Sequence, residues 1–121
     1  MNLTDVKIVI EKSVGIPIKY KTQIFEIEKM TFENTYLRCP KSLNEFEKRY
    51  HGKNLFLILC LYKDELIGFR LFDEINENQV QSMFMVVKEN YRDLKISNLI
   101  SSISSQYFAF QNYKSLLSDK K

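Results

Sequence analysis

The spacing of hydrophobic and polar positions changes several times along the chain, and each change marks an element. Ile8, Val9, Ile10 and Val14 are β-branched and are followed by Gly15-Ile16-Pro17, so a short strand is predicted from Lys7 to Val14. From Tyr20 to Phe32 the positions Tyr20, Ile24 and Ile27, with polar Gln23, Glu26 and Glu28 around them, fit a helix with one buried face. Phe25 and Phe32 fall off that line. Asn34 to Pro40 reads as a loop, because Pro40 disfavours helical dihedrals at Cys39. Ser42 stands three residues before Glu45, which is an N-cap signature, so a second helix is predicted from Leu43 to Tyr50. It ends at His51-Gly52, where glycine supplies a left-handed cap.

The run from Leu55 to Tyr62 is continuously apolar and predicts a strand buried on both faces. A polar turn at Lys63-Asp64-Glu65 leads into a second strand from Leu66 to Phe72, and the two form an antiparallel hairpin in which Gly68 marks a bulge or a close backbone approach. Asp73 to Asn78 reads as another turn, Val80 to Val87 as the third strand of the meander, and Lys88 to Asp93 as a loop whose Asp93 caps the next helix. That helix places Ile96, Leu99, Ile100, Ile103, Tyr107 and Phe110 on its buried line, with Ser97, Asn98, Ser101, Ser102 and Ser105 on a solvated face. Ser115 to Lys121 is expected to fray. The pattern is an α/β chain of the α+β kind, β-α-α-β-β-β-α with an antiparallel meander, in one domain over residues 1–121.

Composition supports a folded domain and narrows its surroundings. A chain of 121 residues suits one core, and 45% apolar residues with only 3 Gly and 2 Pro exclude disorder and linker-dominated architectures. Two cysteines form no disulfide framework, which points to a reduced cytoplasmic setting. Cys60 reads as a small buried hydrophobe and Cys39 as an unactivated loop thiol. The first twelve residues carry Asp5, Lys7, Glu11 and Lys12 around a short apolar run, which fits neither a signal peptide nor a membrane span. The net charge of +3 is spread along the chain without a basic stripe, so no nucleic-acid partner is expected. His51 is the single histidine and reads as a helix-end residue, so no metal site is expected. Tyr107, Phe108, Phe110 and Tyr113 are a candidate partner-facing patch.

Four local features carry a resemblance. They are Ile24-x-x-Ile27-Glu28-x-x-x-Phe32, Asp64-Glu65-Leu66-Ile67-Gly68, the apolar strand ending at Val87, and Val87-x-x-x-Tyr91-Arg92 entering Ile96-x-x-Leu99-Ile100. With the order of elements, these make the chain from about Lys7 to Tyr113 resemble the GCN5-related N-acetyltransferase superfamily. The start of any helix offers unpaired amides and the positive end of its dipole to a diphosphate, provided the backbone can come close. In that family a loop of pattern Gln/Arg-x-x-Gly-x-Gly/Ala does this for acetyl-CoA. Here the corresponding residues are Arg92-Asp93-Leu94-Lys95-Ile96-Ser97, with Lys95 and Ser97 where small residues are usual.

The resemblance further implies that the pantetheine arm pairs with backbone between Met83 and Val87, giving Met85, Val86 and Val87 as cofactor contacts. It makes Glu28 and Glu77 the candidate carboxylates for deprotonating an acceptor amine, while the plainer reading of Glu28 is a solvated helix position. The family fold continues past the last helix, so the C-terminal half of the usual fold is expected to be absent. An open sheet edge then invites a homodimer, a protein partner or a helix folded back. The expected function is transfer of an acetyl group from acetyl-CoA to an amine of a small molecule or a protein. The alternative is an inactive binding or assembly module.

Overall fold

A computed structural model describes residues 3–32, 41–111 and 115–117. The loop expected from Asn34 to Pro40, with Cys39, lies outside them, as does Tyr113. Four antiparallel strands, β1 (Val6–Val14), β2 (Asn54–Tyr62), β3 (Glu65–Asn76) and β4 (Gln79–Val87), lie in chain order in one sheet. A fifth, β5 (Ser115–Leu117), pairs parallel to β4. The segment expected to fray at Ser115 therefore begins as a short strand, held by the rungs Gln79–Ser115 to Gln81–Leu117.

β2 explains why there are helices on both faces. Every residue from Leu55 to Leu61 is buried, and alternate side chains enter two different cores. Leu55, Leu57, Leu59 and Leu61 meet Tyr20, Ile24 and Ile27 of α1 (Ile18–Phe32) and Phe46 and Tyr50 of α2 (Leu43–Tyr50). Phe56, Ile58 and Cys60 meet Ile96, Ile100 and Phe108 of α3 (Ile96–Phe110) on the opposite face. Burial pushes the Cys60 thiol up to about 11, so it stays protonated and unreactive at neutral pH. Phe25 joins the first core edge-on to Phe46, with ring centroids 5.4 Å apart.

Local signals hold where the geometry is local. Ser42 Oγ accepts from the Glu45 amide at 3.1 Å, and Gly52 adopts φ +74°. The β2–β3 turn places Lys63 and Asp64 at φ 48° and 67°, as a tight hairpin requires. Beside Gly68 the register shifts, and a Cβ there would lie 3.2 Å from the Val86 carbonyl and 3.3 Å from Val87 Cγ2.

Five expectations are corrected. The turn expected from Asp73 to Asn78 is mostly strand, because Asp73 and Glu74 pair with Lys53 (3.6 Å) and Lys12 (3.3 Å) and so tolerate strand positions. Lys88 to Asp93 is not irregular but enters a 3-10 turn over Glu89–Leu94. Asp93 lies inside that turn, and Lys95 takes the N-cap position of α3. The buried stripe of α3 runs in steps of four through Ile96, Ile100, Ser104 and Phe108, leaving Leu99 at its margin and Phe110 83% exposed. Ser104 can be buried because its hydroxyl donates to the Ile100 carbonyl at 2.6 Å. Phe108, placed in the candidate surface patch, is a core residue whose ring lies 5.2 Å from Phe56 and 4.7 Å from Phe72.

Phe108→Ala is expected to cost about 3–5 kcal/mol in urea unfolding, whereas Phe110→Ala should stay within about 0.5 kcal/mol. Equal costs would contradict this placement of α3.

Candidate functional site

The site is built where β4 runs out and α3 begins. Met83 is an extra residue on β4, since Leu71 pairs with Phe84 and Phe72 with Ser82. Such a bulge bends its strand and raises the local twist. β5 pairs only with Gln79 to Gln81, just ahead of the bulge. From Met83 to Val87, β4 has β3 on one side and, among the described residues, no strand on the other. Half of its peptide groups there face outward, able to pair with an extended ligand. Val86 is buried in the α1/α2 core, Val87 in the α3 core, and half-buried Met85 packs on the α3 side.

Past Val87 the Lys88 amide donates to the Ile67 carbonyl at 2.8 Å, and the 3-10 turn carries the chain to Lys95 at φ 58°. This left-handed conformation costs a non-glycine residue about 1–2 kcal/mol, which is the physical reason for a glycine at such a corner. The Lys95 side chain is exposed, and it makes no capping hydrogen bond. The first rung of α3 runs from the Leu99 amide to the Lys95 carbonyl at 3.1 Å. The amides of Ile96, Ser97 and Asn98 therefore precede the helical ladder and point along the positive end of the dipole. Ile96 is buried and pins this end of the helix, while Ser97 is half-buried.

Arg92 borders the same corner. Its Nε donates to the Val87 carbonyl at 2.9 Å, tying the turn to the end of β4. With Lys88 and Asn90 it lines a cleft of about 230 Å³, closed on the other side by Ile27, Met30 and Thr31 of α1. Lys88 reaches Glu65 at 3.6 Å. Arg92, Lys88 and Lys95 bring positive charge to the corner, and Glu65 opposite Lys88, with Glu89 and Asp93 of the same stretch, brings as many carboxylates. The cleft wall from α1 and Lys88 has no signal in the sequence, since it joins residues about sixty positions apart.

The two candidate carboxylates differ in their surroundings. Glu28 is fully buried, so it is not a solvated helix position. Its Oε1 is ion-paired with Arg49, and its Oε2 accepts from the Tyr50 hydroxyl at 3.1 Å. This arrangement clamps α1 to the end of α2. Tyr50 and Arg49 are 22 and 21 residues from Glu28, so nothing local announces the clamp. Burial, and then the Glu28 charge, hold the Tyr50 hydroxyl far above the usual tyrosine pKa. Glu77 is exposed in the β3–β4 turn, ten residues from Val87, which is about 30 Å along an extended strand. The chain thus carries Met85, Val86 and Val87 through the backbone of Asp93 and Leu94 to Lys95, Ile96 and Ser97, with Arg92 bonded back to Val87, while Glu28 is engaged by Arg49 and Tyr50 and Glu77 sits in the β3–β4 turn. Among the described residues no group of three or more His, Cys, Asp or Glu side chains could hold a metal, and no helix is long and apolar enough to cross a membrane.

The clamp gives a pH-dependent prediction. Tyr50→Phe is expected to cost about 1.5–3 kcal/mol at neutral pH, the range for a hydrogen bond to a charged group. The folded state holds Tyr50 neutral, so the wild type loses this advantage as pH rises above about 10, where the unfolded tyrosine ionises. Urea unfolding of both proteins from pH 7 to pH 11 measures the closing gap. Arg49→Met, which leaves a buried carboxylate without its cation, is expected to cost about 3–5 kcal/mol.

No family model matches the sequence, and a search of curated proteins finds no match. Solved structures do match. An aminoglycoside acetyltransferase from an uncultured soil metagenomic sample, in complex with sisomicin, superposes with a TM-score of 0.71 at 13% identity, over 98% of this chain and 79% of that one. A ribosomal-protein-alanine N-acetyltransferase from Brucella melitensis biovar Abortus gives 0.71 at 13% identity, over 94% and 80%. The PaiA N-acetyltransferase of Thermoplasma acidophilum, in complex with coenzyme A, gives 0.61 at 14% identity, over 87% and 75%. The superposition covers nearly the whole chain in each case: the chain has the fold of the GCN5-related N-acetyltransferases.

Proposed function

We propose that the protein is an acyl-CoA-dependent N-acyltransferase that moves an acetyl group from acetyl-CoA to an amine. The observation that carries this reading is the continuity of the open β4 edge from Met83 to Val87 with the uncapped start of α3. An extended amide-bearing arm suits the edge, and a diphosphate suits the helix start. The backbone of Met85, Val86 and Val87 holds the arm. The turn from Asp93 to Lys95 and the amides of Ile96 and Ser97 hold the diphosphate, with Arg92 and Lys95 supplying positive charge. Acetyl-CoA, when bound, supplies an activated thioester.

On the side of the chain, the task is to orient and to manage one proton. The acceptor amine loses a proton as its nitrogen joins the acetyl carbon, and the departing sulfur takes one up. Glu28 is already engaged by Arg49 and Tyr50 and Glu77 lies ten residues from Val87, so in this reading the amine gives its proton to solvent, and Glu28 serves by keeping α1 and α2 in place. The acceptor is an amine of a small molecule or of a protein chain, and the fold neighbours acting on an aminoglycoside or a ribosomal protein support both classes.

One observation favours a second reading. Lys95 occupies a left-handed corner where a smaller residue would let a phosphate approach more closely, so a module that has lost its ligand is the alternative.

Thermal unfolding with acetyl-CoA separates the two. A ligand that binds only the folded state at a hundred times its Kd stabilises it by about 2.7 kcal/mol, so millimolar acetyl-CoA is expected to raise Tm, and Arg92→Ala to remove most of that rise. Absence of any rise in the wild type would favour the module.

A further inference from the structure

The edge of the sheet opposite β5 belongs to β1. It pairs with β2 along all nine residues, and among the described residues no strand lies on its other side. A long uncovered strand edge is a template for another strand. Here the template has an internal symmetry: Lys7-Ile8-Val9-Ile10-Glu11 reads apolar in the middle from either end, with a cation at one end and an anion at the other. We propose that two copies of the chain dimerise by antiparallel pairing of β1 with β1, about a two-fold axis at Val9. This inference goes beyond the transferase reading and does not use it, since the open edge of β4 is left untouched.

Geometry restricts the register. A two-fold axis normal to the sheet keeps paired side chains on one face, so the axis must pass through a residue facing its own copy. Centred on Val9, Ile8 faces Ile10, and Lys7 faces Glu11 on both sides of the axis, at the spacing where cross-strand pairs interact. Other centres are worse. An axis at Lys7 or Glu11 sets like charges directly opposite, one at Ile8 sets Asp5 against Glu11, and one at Ile10 sets Ile8 against Lys12 and Val9 against Glu11 with no opposite charges facing, whereas the Val9 register offsets its one such mismatch, Val6 against Lys12, with the Lys7–Glu11 pairs.

The surroundings fit this register. Among the described residues neither Lys7 nor Glu11 is in an ion pair, although Lys12 on the same strand is bonded to Glu74. Ile8, Val9 and Ile10 are only half-buried, Val9 packing on the α1/α2 core and the two isoleucines on the α3 core. A second strand would complete their cover on both faces. Lys7, Val9 and Glu11 also border a groove of about 490 Å³, flanked by Lys19, Tyr20 and Gln23 of α1.

Sedimentation equilibrium of the full chain, from micromolar to millimolar concentration, tests the proposal by charge exchange. The wild type is expected to approach twice 14.4 kDa. Lys7→Glu and Glu11→Lys each place like charges opposite one another and are expected to weaken association at least tenfold. The double variant Lys7→Glu/Glu11→Lys restores the pairing with its signs reversed and is expected to recover the wild-type mass. Circular dichroism of all four proteins confirms the same fold. A wild type that stays monomeric overturns the proposal, as does a dimer indifferent to the single exchanges. In the same way, Val9→Cys is expected to give a disulfide-linked dimer on mild oxidation, because residues facing each other across the axis lie within disulfide reach. Failure to crosslink while the mass is dimeric would place the interface elsewhere.

Discussion

From Met83 to Val87 the peptide groups of β4 bond to a neighbour on one side only, and much of the architecture keeps that stretch ordered under this condition. A strand so exposed would peel away if its hold came from hydrogen bonds to β3 alone. Val86 anchors it in one core and Val87 in the other. Gly68 lets β3 come within reach of the Val86 carbonyl, and Arg92 and Lys88 tie the departing chain back to Val87 and Ile67. The outward-facing groups can therefore stay available because the inward side is overdetermined.

The α1/α2 layer provides the other boundary of this corner, and a buried carboxylate fixes its position. Glu28 is removed from water and joined to Arg49 and Tyr50, so separating the two helices would expose an unsatisfied ionic group inside an apolar layer. Replacing such a group by apolar side chains is often neutral in stability, whereas removing one partner is costly. The position fixed here is that of the wall that Ile27, Met30 and Thr31 present to Lys88 and Arg92.

Elements whose cause lies within a few residues could be read from the sequence. The α2 boundaries follow from Ser42 and Gly52, the double burial of β2 from its unbroken apolar run, and the bulge from Gly68. The rest depends on partners far along the chain. Asp73 and Glu74 look like turn residues until Lys53 and Lys12 are brought beside them. Ser104 looks solvated, but its hydroxyl is satisfied by its own helix, which allows the buried stripe to shift onto Phe108. Asp93 looks like a cap, yet the left-handed turn at Lys95 moves the helix start two residues on. At the site, the corner from Arg92 to Ser97 was visible as a contiguous motif. The distance of Glu77 from it, and the engagement of Glu28, were not, because both depend on the direction in which whole elements run.

The short β5 carries a consequence for the order of assembly. Antiparallel neighbours β2, β3 and β4 follow one another through tight turns, so their ladders can zip as soon as each strand leaves its hairpin. β5 reaches β4 only after the whole of α3 intervenes, and a parallel rung of this kind must wait for the helix to dock and bear the loop-closure entropy. We expect the Gln79–Gln81 rungs to be the last of the sheet to close and the first to open. Early in folding, the entire outer flank of β4 is then unguarded, and a nascent chain would present an adhesive edge at that stage that the finished fold partly closes.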